Sequence, residues 1–179
     1  MQGRTLVVGV DPGYRNLALV ALEVNNGRVS LAQKVYADVG TTRMEADIIT
    51  KVWNVLDIER PFLNADYVVI ETQNFGRRNT QPVNQGLAWL LASTALSQTT
   101  GVRISFMSSL SKFKTFQVPI PKRDRTQLKD KSIYLATKLL CAHGIAPVTL
   151  FETGKARQWE HLADAVNLAF AAIKKLNLS

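Results

Sequence analysis

Four side chains of types that bind metal ions are placed along this sequence in a suggestive way: Asp11, Glu71, His161 and Asp164. Asp11 and Glu71 each end a short apolar run that predicts a buried strand. His161 and Asp164 lie three residues apart in a predicted C-terminal helix, so they share one helical face. Two strand-end carboxylates facing a helical His-x-x-Asp pair would form an oxygen-rich site, which suits Mg²⁺.

Each of these residues also has a purely structural interpretation. Asp11 precedes a Pro-Gly pair, where an acid can simply stabilise a turn. The polar stripe His161, Asp164 and Asn167 could be the solvated edge of an amphipathic helix. Small and apolar residues flank that stripe, however, whereas a solvated face more often carries Lys or Glu. Glu71 is a poor turn former, and its buried charge would need a partner.

The hydrophobic pattern predicts the order β-β-β-α-β-α-β-α-α. Apolar runs predict strands at 6–10, 17–24, 28–39, 67–70 and 103–107, and helical periodicity predicts helices near 46–56, 82–100, 127–143 and 161–173. Asn25-Asn26-Gly27 is a strong hairpin signal between the second and third strands. We therefore predict an α/β fold in a single domain, residues 1–179. Its mixed five-stranded sheet would contain an antiparallel meander of the first three strands plus two further strands, flanked by helices.

Composition limits the classes of protein and partner. The chain has 179 residues, of which 46% are hydrophobic, as expected for a globular protein. Its net charge of +8 and pI near 9.8 fit nucleic acid or an anionic membrane surface better than an acidic partner, although a basic protein need not bind either. No stretch reaches the roughly 18 apolar residues of a membrane span, so we expect no membrane partner. The single cysteine, Cys141, fits a reducing compartment, and its apolar surroundings predict a buried thiol.

Three short motifs occur in order along the chain. The first is VGVDPG followed by RNLA within residues 8–18, the second is VIETQ at 69–73, and the third is HLADA at 161–165. Together they resemble the motifs of RuvC-type Holliday junction resolvases, whose C-terminal acidic motif begins with Asp in many members and with His in some. Each motif is weak alone, but three in order, each on the expected element, form a specific signal over residues 6 to about 173.

The resemblance implies a ribonuclease-H-like fold, a homodimer and two Mg²⁺ ions per site, with Mn²⁺ able to substitute. Asp11, Glu71, His161 and Asp164 would be the metal ligands. The implied activity is paired, metal-dependent hydrolysis of four-way DNA junctions that leaves 5′-phosphate and 3′-hydroxyl ends. We expect a cytoplasmic location or another reducing compartment that contains DNA, such as a nucleoid, virus factory or organelle matrix. The short C-terminus and the Lys-rich stretch 112–131 resemble the poxvirus, phage or mitochondrial branches of the family.

Basic residues supply further expected sites. Lys114 lies where the family places a lysine after the fifth strand, and Lys129 or Lys131 matches the lysine that opens the next helix, so the resemblance implies catalytic roles for Lys114 and Lys129. Residues 108–125 are rich in basic and hydroxyl side chains and predict a loop. The residues expected to contact DNA are Phe75, Arg77, Arg78, Lys112, Lys122, Arg123, Arg125 and Lys131.

Phe75 lies four residues after Glu71 and beside Arg77 and Arg78. The family has an aromatic residue just after the second motif that stacks on a base, and an exposed ring among cations suits that role. Ordinary packing of the ring remains the alternative.

For the whole chain, the alternatives are a non-catalytic nucleic-acid-binding module of the same fold, or a related nuclease acting on other branched DNA or RNA. An actin-like ATPase would need two such domains, for which we expect this chain to be too short.

Overall fold

The structure is a computed structural model that describes residues 3–13, 15–39, 45–72, 81–120, 125–151 and 156–178. A five-stranded mixed sheet lies at its centre. The strands are β1 (Thr5–Pro12), β2 (Asn16–Asn25), β3 (Arg28–Asp38), β4 (Tyr67–Thr72) and β5 (Arg103–Ser108). Their spatial order is β3-β2-β1-β4-β5. The first three strands are antiparallel, as the sequence predicts, and the two further strands join them so that β1, β4 and β5 run parallel.

The predicted hairpin between β2 and β3 is present as a two-residue turn. Asn26 and Gly27 occupy it with φ angles of 50° and 77°. Positive φ at both central positions is the geometry of a type I′ turn, which Asn-Gly adopts at low cost. The pairing register of β2 with β3 shifts between Ala21 and Leu22.

Six helices occur in the described part of the chain, and they cover both faces of the sheet. They are α1 (Glu45–Glu59), α2 (Gln81–Gln98), α3 (Ser111–Thr115), α4 (Arg125–Ala142), α5 (Pro147–Phe151) and α6 (Ala156–Lys175). The core that includes α1 and α2 packs on one face, and the core that includes α4, α5 and α6 packs on the other. The sequence pattern did not predict α3 and α5, because a five-residue helix is too short to establish a period. The expected loop at 108–125 is therefore wrong where α3 forms.

The central helix of the second face, α6, lies directly on β1. Gly9 of β1 makes this possible, because a Cβ atom there would lie 2.0 Å from the backbone oxygen of Ala165 and 2.8 Å from the nitrogen of Ala169. Such distances are far inside van der Waals contact, so only glycine allows the approach. The close packing brings the N-terminal half of α6 to the end of β1 where Asp11 lies.

One side chain lies in a different environment from the one predicted, and two tryptophans are exposed. Cys141 is exposed, so the predicted buried thiol is wrong. Trp53 and Trp89 are 50% and 59% exposed and do not belong to the core. The ring of Trp89 packs against that of Phe106, with centroids 5.5 Å apart. Within the described ranges, no helix is both long and apolar enough to cross a membrane.

Candidate active site

Two strand ends bring Asp11 and Glu71 together. Side chains alternate along a strand, so Asp11 points to the same face as Gly9, toward α6. Glu71 likewise shares the α6-facing side of β4 with the core residue Val69. The parallel register pairs Val10 with Ile70, so the next residue of each strand is one of the two acids. Asp11 is 6% exposed, and the Glu71 side chain is 14% exposed.

The first turns of α6 bring His161 and Asp164 to the same place. His161 Nδ1 lies 2.6 Å from Asp11 Oδ2, a contact across 150 positions of sequence. Burial lowers the pKa of His161, but its hydrogen bond to Asp11 and the charge of that carboxylate outweigh burial, so the pKa is raised. Because Asp11 engages Nδ1, Nε2 is the ring nitrogen left for a ligand.

A buried lysine of α3 lies among these carboxylates. The Lys112 side chain is 2% exposed, and its Nζ contacts Asp164 Oδ1 and lies 3.6 Å from Glu71 Oε2. Burial lowers the pKa of Lys112, but the charges of Asp164 and Glu71 outweigh it, so the pKa is raised and the ammonium stays charged. Lys112, one of the residues expected to contact DNA, is therefore buried within the acidic cluster and is not exposed at the surface.

The surroundings of Glu71 indicate that Lys112 does not fully balance the negative charge of the acidic cluster. Its Oε2 has no hydrogen-bond partner within the described residues, because 3.6 Å to Lys112 Nζ is too long for a hydrogen bond. Burial raises the pKa of Glu71 to about 8. The charge of Lys112 opposes this rise, whereas the carboxylates of Asp11 and Asp164 add to it. A carboxyl group that holds a proton near neutral pH is one that a further cation would stabilise in its charged form.

The donor set fits a divalent cation chemically. Asp11, Glu71 and Asp164 supply hard carboxylate oxygens, His161 supplies a nitrogen, and the unpartnered Glu71 oxygen is available to a cation. In the described part of the chain, no three His, Cys, Asp or Glu side chains are already arranged as metal ligands. Instead, the Lys112 ammonium is the cation that lies between two of the carboxylates.

A groove of about 340 Å³ opens beside the cluster. Its lining residues come from the β1–β2 turn, α2, α4 and α6: Gly13, Arg15, Asn16, Asn84, Lys129, Glu160, His161 and Asp164. Lys129, whose side chain is 54% exposed, forms an ion pair of 2.5 Å with Glu160 at this groove. The groove therefore carries cationic side chains beside the acidic cluster, an arrangement able to hold a phosphate near the carboxylates.

The structure places the predicted lysines in different surroundings. Lys114 lies exposed on α3, and it is Lys112, two residues earlier, that enters the acidic cluster. Lys131 donates a hydrogen bond of 2.7 Å to the backbone oxygen of Pro119. Both lysines lie on the short helix α3, and its helical conformation decides that Lys112 and not Lys114 points toward the carboxylates.

Several predicted DNA contacts lie outside the described residues, namely Phe75, Arg77, Arg78, Lys122 and Arg123. Arg125 begins α4, but its side chain is also outside the described part. Two polar residues without an assigned role, Ser132 and Asn167, are buried beside Asp164. Asn167 was part of the predicted polar stripe of α6, whereas nothing in the sequence pattern singled out Ser132.

The fold is that of the ribonuclease-H-like Holliday junction resolvases. The structure of Thermus thermophilus RuvC in complex with a Holliday junction substrate is similar with a TM-score of 0.65 and 19% identity, covering 98% of this chain and 97% of that chain. The fowlpox virus Holliday junction resolvase gives 0.58 and 13% identity, covering 96% and 99%. The yeast mitochondrial Holliday junction resolvase Ydc2 gives 0.65 and 12% identity, covering 96% and 79%. The predicted fold class is confirmed.

Sequence comparison identifies the family of the chain, which the structural comparison alone does not. The profile of the poxvirus A22 protein family matches residues 5–177, so the chain belongs to that family. No curated protein matches the chain significantly in sequence. The resemblance inferred from the three motifs is thus confirmed, including its likeness to the poxvirus branch.

Proposed function

We propose that this protein is a structure-selective DNA endonuclease that resolves four-way (Holliday) junctions by paired, metal-dependent phosphodiester hydrolysis. The observation that carries the proposal is the geometry beside the open groove, where the buried ammonium of Lys112 lies against Asp164 and Glu71 and where His161 contacts Asp11. The chain's family and its structural likeness to Holliday junction resolvases support the same function.

The four predicted ligands would hold divalent cations, two per site, with Mg²⁺ as the natural ion and Mn²⁺ as a substitute. When bound, such ions supply Lewis acidity to a phosphate and lower the pKa of water. The protein contributes the carboxylates of Asp11, Glu71 and Asp164, and Nε2 of His161. The unpartnered oxygen and raised pKa of Glu71 support this role, because both indicate that the carboxylate lacks a cation.

Lys112 takes the role that the resemblance gave to Lys114. Its buried, charged ammonium reduces the repulsion among the carboxylates. An ammonium in this position also stabilises the negative charge that a scissile phosphate develops during hydrolysis. Lys129 lies at the groove, where it can exchange Glu160 for a phosphate oxygen of the substrate.

Branched DNA is the proposed substrate because the chain carries a net charge of +8 and the groove beside the acids bears cations. We assign phosphate contacts to the cations predicted for this purpose, other than Lys112. They are Arg77, Arg78, Lys122, Arg123, Arg125 and Lys131, to which the exposed Lys114 is added. Phe75 would stack on a base at the junction.

Paired cutting requires two sites, so we propose a homodimer. Exposed apolar rings support a contact surface between copies, since Trp89 is 59% and Phe106 is 40% exposed.

An enzyme of this kind acts where DNA is present. We therefore keep the expectation of a cytoplasmic or other reducing compartment that contains DNA.

The test compares Asp11→Asn with Asp57→Asn, a matched change at an exposed carboxylate of α1. With Mg²⁺ and a labelled four-way junction, wild type and Asp57→Asn should cleave, whereas Asp11→Asn should not. A chelator should abolish cleavage by wild type and by Asp57→Asn. In the chelator, all three proteins should bind the junction equally in a gel-shift assay. Cleavage by Asp11→Asn near the wild-type rate would contradict the site. Binding without cleavage by wild type would favour a non-catalytic binding module.

A further inference from the structure

Asp164 belongs to a network of buried hydrogen bonds that the proposed chemistry does not explain. Ser132, on α4, is 2% exposed, and its Oγ hydrogen-bonds Asp164 Oδ1. Asn167 lies one turn after Asp164 on α6 and is fully buried. Its Nδ2 donates to the backbone oxygen of Ser132 at 2.8 Å and to Ser132 Oγ at 3.0 Å. The path from Asn167 to Asp164 therefore runs through one hydroxyl group.

The direction of this path is fixed by chemistry. A backbone oxygen can only accept, so the Asn167 group facing it must be the amide nitrogen. That nitrogen can only donate, so Ser132 Oγ accepts from Asn167. The Ser132 hydroxyl proton is then free to point at Asp164 Oδ1, which as a carboxylate oxygen can only accept. Each group thus has one permitted role.

This arrangement divides the Asp164 carboxylate into two unequal oxygens. Oδ1 accepts from both Lys112 Nζ and Ser132 Oγ. Oδ2 makes no hydrogen bond to the described residues, and the side chain is 27% exposed at the groove. Two donors on Oδ1 restrict rotation of the carboxylate and leave Oδ2 as the oxygen that faces a ligand.

The orientation of the Asn167 side chain leaves its amide oxygen without a hydrogen bond to the described residues. That oxygen, Oδ1, is buried. Leaving a buried oxygen without a hydrogen bond is unfavourable, because the oxygen has lost its water and gained no partner. A buried Asn with one end unsatisfied is poorly explained by stability alone, whereas it is explained if the other end orients Ser132.

We propose that Ser132 is a positioning residue that orients Asp164 so that Oδ2 alone faces the cation or phosphate, and that Asn167 acts through Ser132. The assignment rests on the proposed nuclease function. Groups that orient metal ligands from behind typically change metal affinity or activity 10- to 100-fold.

The main test is Ser132→Ala. We expect single-turnover cleavage of a four-way junction to slow about 10- to 100-fold. We also expect the affinity for Mn²⁺, measured by calorimetry without DNA, to weaken by about 10-fold. Junction affinity in a chelator and the melting temperature should stay close to wild type. Ser132→Thr keeps the hydroxyl and should restore most of the cleavage rate.

A matched control is Thr94→Val, which removes another buried hydroxyl, on α2. It should leave cleavage and Mn²⁺ affinity at wild-type values. Loss of both to the same extent as in Ser132→Ala would mean that any buried hydroxyl matters, and would overturn the proposal. Wild-type cleavage and Mn²⁺ affinity in Ser132→Ala would also overturn it.

The role of Asn167 is tested by a double-mutant cycle. Asn167→Ala should slow cleavage less than or as much as Ser132→Ala, and the double variant should be no slower than Ser132→Ala alone. Additive losses would show that Asn167 does not act through Ser132. If wild type cleaves no junction, the proposed nuclease function fails. The Mn²⁺ titrations of wild type and Ser132→Ala would still decide whether Ser132 positions Asp164.

Discussion

At the scale of residues, one ammonium group offsets a cluster of three carboxylates. Lys112 contacts Asp164 and lies 3.6 Å from Glu71, while His161 engages Asp11. Glu71 nevertheless has a raised pKa of about 8, so Lys112 does not fully compensate the burial and the neighbouring negative charges. The site is therefore arranged to gain from an added divalent cation.

Lys112→Met should separate the buried lysine from its neighbour Lys114. We expect Lys112→Met to slow cleavage by about 100-fold or more, because the mutation removes the charge that we propose stabilises the reacting phosphate. Lys114→Met should cleave close to the wild-type rate, with junction binding weakened at most modestly. Both variants would be measured in single-turnover assays at saturating protein. A larger cleavage defect in Lys114→Met than in Lys112→Met would restore the original assignment.

The raised pKa values predict how pH and metal act together. Glu71 holds its proton more tightly when folded, so its contribution to stability is present below pH 4.5 and is lost as pH rises through about 8. His161 acts in the same direction, with its contribution present below pH 6.5 and lost as pH rises through its raised folded value. Metal must displace these protons, so Mg²⁺ should raise the melting temperature more at pH 8.5 than at pH 6.

This pH dependence is checked by thermal melts with and without Mg²⁺, using Glu71→Gln as the comparison. That variant cannot titrate at position 71 and should show a smaller difference between the two pH values. An equal Mg²⁺-induced shift at both pH values in wild type would contradict the assignment of Glu71 and His161 as metal ligands.

The four proposed metal ligands were predictable as candidates from sequence, because each lies at the end of a strand or shares a helical face with another candidate. The position of Lys112 among the carboxylates was not predictable. Two lysines occur in Ser111–Thr115, and the direction of each side chain depends on a helix that is too short to predict. Ser132 was not predictable either. A serine within a helix carries no periodic signal, and its role follows only from the contact between α4 and α6.

At the scale of elements, the site depends on the contact of α6 with β1. The strand supplies Asp11, the helix supplies His161 and Asp164, and Gly9 permits their close approach. The sequence predicted the strand and the helix separately. The need for a glycine at position 9 could not be predicted, because it arises from the path of a helix more than 150 residues away.

Gly9→Ala should therefore destabilise the protein and disable the site. The added methyl would lie 2.0 Å from the oxygen of Ala165, so α6 must shift. We expect a loss of about 3 kcal/mol in the free energy of unfolding, with cleavage strongly reduced. Gly86→Ala is the matched control, because a Cβ there meets nothing within 4 Å on an exposed turn of α2. It should stabilise the protein by about 1 kcal/mol.

Denaturant unfolding of both glycine variants measures these changes. Wild-type stability together with wild-type cleavage in Gly9→Ala would show that the packing of α6 on β1 does not set the site's geometry.

The interior of the sheet was the most predictable part of the fold, since continuous apolar runs specify its strands. The short helices α3 and α5 were the least predictable part.

At the scale of the whole molecule, charge is the property that points to the substrate. The net charge of +8 comes from 22 basic and 14 acidic residues, and several of the acids lie in the site itself. An excess of positive charge of this size favours the binding of a polyanion such as DNA. A branched substrate would place its backbone along the protein surface while one phosphate reaches the acids.

Junction binding should therefore weaken steeply with salt. The logarithm of the association constant should fall linearly with the logarithm of salt concentration, with a slope of about −0.9 per phosphate neutralised. Gel-shift titrations in a chelator measure this slope without cleavage. Replacing Lys129, whose exposed side chain lines the groove, with alanine should reduce the slope by about one unit. A slope near zero in wild type would contradict binding through the phosphate backbone.

The most direct test of the central claim is a cleavage competition between a four-way junction and a linear duplex that share the same arm sequences, with Mg²⁺ present. We predict that the junction is cut at paired positions in opposing strands, that the duplex stays intact, and that ligase reseals the nicked products. Resealing requires the 5′-phosphate and 3′-hydroxyl ends expected of this chemistry. Equal cleavage of the linear duplex, or no cleavage of the junction, would contradict a junction-resolving nuclease.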